Sequence, residues 1–286
     1  MRYWLKGAGF AGVAGWLAAA SAAAQPAPAA PQGARWHLDG ATSRCVLTRR
    51  LEGTPVPATF VLRTLPGSGR YDVILASPDL PAAIRRGDPD VRIALAPGGA
   101  AHSRRLAAVE VGDTLGEAVI IPSLPPAFAA EFAGASTVSL AAEDGRALGS
   151  WTIPLAARAA EAFAACEIEK QVDWGADPAG LEPGSTPPSP QGNADRWLAA
   201  RDLGLIDLLG SAEVTAIFRL VVGADGRATG CTLLESAGSI PVREAACGAL
   251  AERARYRPAL DPRGNPVASV AIFGVTARSD LTLVAY

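Results

Sequence analysis

The chain has 286 residues, of which 49% are hydrophobic and 19% charged, a composition that excludes a disordered protein and leaves room for two ordinary domains. Its formal net charge of -2 argues against a nucleic-acid partner. No basic patch with interleaved aromatics stands out, and Arg49-Arg50, Arg85-Arg86 and Arg104-Arg105 read as solvated strand ends.

Met1 to Lys6 is a short cationic segment, followed by the Ala/Gly-rich apolar run Gly7 to Ala24. With small residues at Ala22-Ala23-Ala24 before Gln25, residues 1–24 read as a secretory signal peptide. Uncleaved, the same run lies near the lower bound for a membrane anchor. Residues 25–34 form a Pro/Ala-rich spacer, and no later segment is long and apolar enough to span a bilayer.

Residues 35–174 predict a β-rich domain. Short strand candidates recur at Cys45–Arg49, Thr59–Arg63, Tyr71–Ala76, Val91–Leu95, Ala107–Val111, Ala118–Ile121, Thr137–Ala141 and Leu148–Ile153, most bounded by Gly, Pro, Asp or Ser. That spacing predicts an antiparallel sandwich or curled sheet. Two helices interrupt it, Pro125–Phe132 and Leu155–Lys170, the second placing Ala159, Phe163 and Cys166 along one side.

Residues 175–194, with Pro178, Pro183, Pro187, Pro188 and Pro190, read as an extended, semi-rigid linker between two bodies. The stretch Asp195–Gly204 predicts a short leading helix with Trp197 and Leu198 packed under a sheet. Next, Val214–Val222 alternates Val214, Ala216, Phe218, Leu220 and Val222 on one face, as a half-buried strand does. Asp225-Gly226 supplies the positive φ of a tight hairpin, and Arg227–Ser236 pairs back. The period then becomes helical through Val242, Ala246, Cys247, Leu250 and Ala254, with Ser239 as N-cap, Pro241 in the first turn and Arg257-Pro258 as the stop. Gly264-Asn265-Pro266 turns the chain into a strand at Val267–Phe273. Thr276–Asp280 reads as a turn and Leu281–Tyr286 as one more strand.

The order strand, strand, helix, strand, the run Arg253-Ala-Arg-Tyr-Arg-Pro-Ala259 and the later Gly264-Asn-Pro-Val267 together resemble the C-terminal domain of the TonB family over residues 195–286. The overall expectation is an α+β protein, a TonB-like β-β-α-β domain behind a β-rich, sandwich-like one. The resemblance implies a periplasmic protein that binds extended peptide of an outer-membrane receptor, or another envelope protein, by strand addition. It would serve in transport-related energy transduction or as an adaptor. The implied recruiting edge is Val267, Ala268, Ser269, Val270, Ala271, Ile272 and Phe273, and Leu281–Tyr286 could fold back upon it. Energised members carry a Ser and a His within the anchor. This run has Ser21 and no His, so direct proton-motive coupling is not expected, although an uncleaved N-terminus would place the chain at the inner membrane as a single-pass protein. The other reading is a structural envelope module that contacts peptidoglycan or another protein and has no role in transport.

Four cysteines in an exported chain favour two disulfides, which four can form in three ways. Cys231 on the second strand and Cys247 on the helix over it make a natural pair. Cys45 and Cys166 then clasp the first strand of the preceding domain to its last helix. The rival, metal binding, finds no familiar Cys/His spacing, and neither His37 nor His102 has a paired ligand. No cofactor is expected and no catalytic residue is assigned: Gly67-Ser-Gly69 reads as a turn and Glu143-Asp144 as a hairpin tip, so the protein reads as a binder and not an enzyme.

Overall fold

A computed structural model describes residues 35–80, 84, 90–110, 117–203, 213–238, 245–278 and 283–285. The first half runs through β1 (His37–Asp39), β2 (Cys45–Leu51), β3 (Gly53–Thr54), β4 (Ala58–Thr64), β5 (Tyr71–Ser77), β6 (Asp90–Ala96), β7 (Ala101–Arg105), β8 (Ala107–Glu110) and β9 (Glu117–Leu124). Helix α1 (Ala127–Gly134), β10 (Thr137–Ala142), β11 (Ala147–Thr152) and helix α2 (Ala156–Asp173) complete it.

All pairings here are antiparallel, in one sheet ordered β1-β2-β4-β5-β9-β8 and another ordered β3-β11-β10-β6-β7. The two-residue period does the sorting: Leu47, Phe60, Leu62 and Val73 of the first sheet share one core with Ile93, Val138, Leu140 and Trp151 of the second. Trp151 is wholly buried and its indole N–H donates to the Val56 carbonyl at 2.8 Å, which satisfies its one polar atom. Helix α1 buries Phe128 and Phe132, and α2 buries Ala156, Ala159, Phe163 and Cys166, the side expected from the sequence. The stretch at β7 reads Ala-His-Ser-Arg-Arg; it is a strand by pairing with β6 and carries no apolar alternation.

In the second half, β13 (Glu213–Val222), β14 (Ala228–Gly238), β18 (Ser269–Arg278) and β19 (Leu283–Ala285) form an antiparallel sheet ordered β14-β13-β18-β19. Four short strands precede β18 in the chain: β12 (Ser189–Pro190), β15 (Tyr256–Arg257), β16 (Ala259–Leu260) and β17 (Pro266–Val267). Helix α3 (Ala245–Arg253) lays Ala246, Ala249 and Leu250 on a core shared with Phe218, Leu220, Trp197, Tyr256 and Phe273. Ser239 and Pro241, expected as N-cap and first-turn proline, lie outside the described residues. Mixed helix and antiparallel sheet make this an α+β protein.

Three expectations change. The stretch 195–204 is not one helix; two 3₁₀ turns, Ala194–Arg196 and Ala200–Leu203, stand in its place. Asn193 accepts from the Asp195 N–H at 2.9 Å and Asp202 from the Ala199 N–H at 2.7 Å, local bonds that compete with a continuous helix. Trp197 and Leu198 are nevertheless buried under the sheet. Second, the helix ends at Arg253 and not at Arg257-Pro258: the Tyr256 N–H donates to the Gly226 carbonyl at 2.8 Å, and Tyr256-Arg257 pairs as β15 with Ser189-Pro190. Third, Thr276–Arg278 continues β18 and does not turn.

The DG turn is therefore a docking point as well as a hairpin. Gly226 has φ +77°, and a Cβ there would run into the Tyr256 carbonyl. Gly226→Ala is expected to cost about 1–3 kcal/mol in urea unfolding, more than Gly264→Ala, which shares the positive φ but meets open space.

Both expected disulfides form. Cys45–Cys166 joins β2 to α2 with Cα atoms 6.2 Å apart, and Cys231–Cys247 joins β14 to α3 at 5.4 Å. They suit an oxidising, extracytoplasmic compartment. Among the described residues no helix is long and apolar enough to cross a membrane.

Candidate functional site

The expected recruiting strand is divided by its neighbours. Val267 belongs to the β16–β17 hairpin, opposite Ala259, and the Ala268 carbonyl accepts from the Asp177 N–H at 2.9 Å. From Ser269 onward the chain is β18, whose inner side pairs with β13 through Phe273↔Phe218 and Ala271↔Leu220. On its outer side β19 pairs only with Val275, Thr276 and Ala277. Leu283–Ala285 thus folds back on the edge and covers one end of it. At the other end the β4–β5 turn approaches: a Cβ on Gly67 would stand 3.2 Å from the Val270 carbonyl oxygen.

Between these brackets Ala271–Gly274 has no strand on its outer side among the described residues, while its inner side is paired with β13. Backbone groups alternate sides along an antiparallel strand, so with Ala268 and Val270 carbonyls facing outward, those of Ile272 and Gly274 face outward too. Exposed N–H and C=O groups of this kind are what a guest strand pairs with.

This window opens into a groove of about 640 Å³ lined by Ala271, Ile272, Phe273 and Gly274. One wall comes from Pro188, Pro190 and Tyr256, where the proline-rich segment is stitched to β15; it also bridges Thr186 to Leu260 through paired 2.9 Å bonds. The proline-rich segment is thus tied at Thr186 to β16 and at Ser189-Pro190 to β15. The other wall comes from Arg44, Thr64, Ser68 and Arg70 of the sandwich. Arg44 makes two 2.6 Å bonds to the Glu235 carboxylate on β14, and Arg63 bonds Asp72 at 3.0 Å. Asp72 also accepts from the Ser123 N–H at 3.0 Å. Arg44 and Arg63, two of the three arginines lining the groove, are thus paired with carboxylates in place.

On the same face of the sheet as the groove-lining Ile217, the Arg219 guanidinium lies 5.1 Å from the Trp174 ring centroid, which packs the end of α2 against β13. Burial of Tyr256 pushes its hydroxyl well above the usual phenol range, so the groove wall stays neutral.

The positions singled out in sequence fall as follows. Gly67-Ser-Gly69 is a turn, with φ of +87° at Gly67 and +60° at Gly69, and it forms the groove's lower bracket. Glu143-Asp144 sits in the β10–β11 turn beside Gly145. His102 Nε2 contacts Glu131 Oε2 at 3.0 Å, and among the described residues no group of three or more His, Cys, Asp or Glu is gathered as a metal cluster. Sequence reasoning missed the groove walls, because Arg44, Arg70 and Pro190 meet only through tertiary packing. It also misread Arg49: only Arg50 of that pair is a solvated strand end, while Arg49 is buried.

No family model, curated protein or solved structure matches this chain.

Proposed function

We propose that this protein is a periplasmic binder that takes up an extended peptide, from an outer-membrane receptor or another envelope protein, as an added strand along Ala271–Gly274. The observation that carries this reading is the outer edge of β18 at Ala271–Gly274, which has no partner strand among the described residues and faces a groove of ligand size. Two disulfides fit the compartment, and the resemblance of residues 195–286 to the TonB C-terminal domain fits the mode of binding. In this reading 195–286 captures the peptide and 35–174 supplies one groove wall. The bracket formed by β19 limits a guest to a short ladder, so fuller pairing displaces Leu283–Ala285.

The test uses the disulfide-intact protein and ten-residue peptides copied from periplasm-facing N-termini of outer-membrane receptors. Saturating peptide is expected to slow amide exchange at Ile272 and Gly274. Ile272→Pro, which removes an outward N–H and no bond to β13, is expected to weaken binding about tenfold or more. Removing residues 281–286 is expected to tighten it. Unchanged exchange at both amides would defeat strand addition.

A further inference from the structure

Arg49 breaks the pattern of its own strand. Along β2 the residues facing the core are Cys45, Leu47, Arg49 and Leu51, so a guanidinium occupies a position meant for an apolar side chain. It is 8% exposed, and its Nε and Nη1 are buried without any hydrogen-bond partner. Among the described residues the Trp36 ring compensates in part, its centroid lying 5.6 Å from the guanidinium carbon. Burial of a cation with unsatisfied donors is strongly unfavourable unless something completes it.

What surrounds Arg49 is a cleft of about 280 Å³ whose lining includes Arg35 and Arg158 and, among the described residues, no carboxylate. Trp36, Leu47 and Leu155 supply apolar walls. Helix α2 starts at this cleft: Leu155 is 63% exposed, holds a left-handed conformation at φ 59°, and makes no side-chain cap. The first turn carries no acidic residue, so the positive end of the helix dipole is left unopposed. Residues 1–34 contain no Asp or Glu.

We infer that this cleft binds a small amphiphilic oxyanion, a carboxylate or phosphate monoester on a short apolar body. The anion accepts charge-assisted hydrogen bonds from Arg49, with Arg35 and Arg158 at the mouth, and the apolar body lies against Trp36, Leu47 and Leu155. The site is separate from the β18 groove and shares no lining residue with it.

The experiment titrates the full protein with octyl phosphate, octanoate, inorganic phosphate and octylammonium, following the Arg49 Nε–H resonance and calorimetric heat. Octyl phosphate and octanoate are expected to saturate and shift that resonance, inorganic phosphate to bind about tenfold more weakly or worse, and octylammonium not to bind. Their relative affinity tells which oxyanion the cleft favours. Arg49→Met is expected to lower octyl phosphate affinity about 30-fold or more. The same change should hold or raise the melting temperature of the ligand-free protein, since an unpaired buried charge is replaced by an apolar chain of similar length. Arg158→Gln is expected to cost about two- to fivefold. Octylammonium binding as tightly as octyl phosphate, inorganic phosphate matching it, or unchanged affinity in Arg49→Met would each overturn the assignment. If Arg49→Met does not fold, the double variant Arg35→Gln/Arg158→Gln decides, and unchanged octyl phosphate affinity there overturns it equally.

Discussion

Replacing Cys45 and Cys166 together by alanine is expected to lower unfolding stability by roughly 3–5 kcal/mol, against roughly 2–3 kcal/mol for the pair Cys231 and Cys247. The difference follows from loop length. The first bridge closes a separation of 121 residues and the second one of 16, and the chain-entropy lost by the unfolded state grows with the logarithm of that length. Both partners of the long bridge are buried, Cys45 on the central core and Cys166 on the buried side of α2, so each alanine also leaves a small void. Urea unfolding of each variant, with oxidised wild type as reference, checks the ranking. Its slope against urea should steepen more for the first variant, because a chain freed from the longer loop exposes more surface when unfolded. Equal losses for the two variants would place the stabilisation in native contacts rather than in the unfolded chain. The functional consequence is separate from the energetic one. Cys231–Cys247 holds α3 to β14, two elements away from the open stretch of β18, so its loss should lower stability while peptide binding to folded protein changes little.

Periodicity carried most of the fold. The alternation in Cys45–Leu51, Ala58–Thr64 and Glu213–Val222, and the helical spacing of Ala159, Phe163 and Cys166, were legible because one face of each is buried and composition has to follow. The exceptions share a cause. Ala101–Arg105 and Ser189-Pro190 are strands because a neighbour offers hydrogen-bond partners, and pairing of that kind leaves no apolar signature. Tyr256-Arg257 looked like the end of a helix for the same reason: its backbone is claimed by Gly226 and Pro190, far away in sequence. The edge of β18 was foreseen as a strand, whereas its trimming by Asp177, Gly67 and Leu283–Ala285 required contacts no local pattern encodes. Arg49 is the instructive case. Read with Arg50 it looked like a charged strand end, yet its place in the alternation with Cys45, Leu47 and Leu51 already put it on the core side. Parity was the better guide, and charge alone misled.

Stability should fall as pH rises from about 4.5 to 7, and Glu167 is the reason. Its carboxyl sits at one end of a cleft between α1 and α2, lined by Leu62, Phe132, Phe163 and alanines, where burial pushes its pKa up to about 7. The Tyr71 hydroxyl, 3.3 and 3.4 Å from its two oxygens, pulls the other way through a long hydrogen bond and does not overcome the desolvation. Tyr71 is itself pushed well above the usual phenol range by burial and by that carboxylate, so it stays a donor throughout. The sign follows from proton counting. Between the ordinary value of 4.5 and about 7 the folded state keeps a proton that the unfolded state releases, so raising pH favours unfolding. The stabilisation is therefore full below about 4.5, is lost progressively through about 7, and changes no further beyond it. At roughly 1.4 kcal/mol per unit of displacement, discounted because the group is half-buried, the loss is roughly 2–3 kcal/mol. Glu167→Gln keeps the shape and can still accept from Tyr71, but it cannot ionise. Thermal melts at intervals of half a pH unit should show the slope in the wild type and a nearly flat profile in the variant, which is more stable by a similar amount at pH 8. A wild-type profile flat between about pH 4.5 and 7 would mean that the cleft admits enough water to solvate the carboxylate, and that the contact between Tyr71 and Glu167 lies open to solvent.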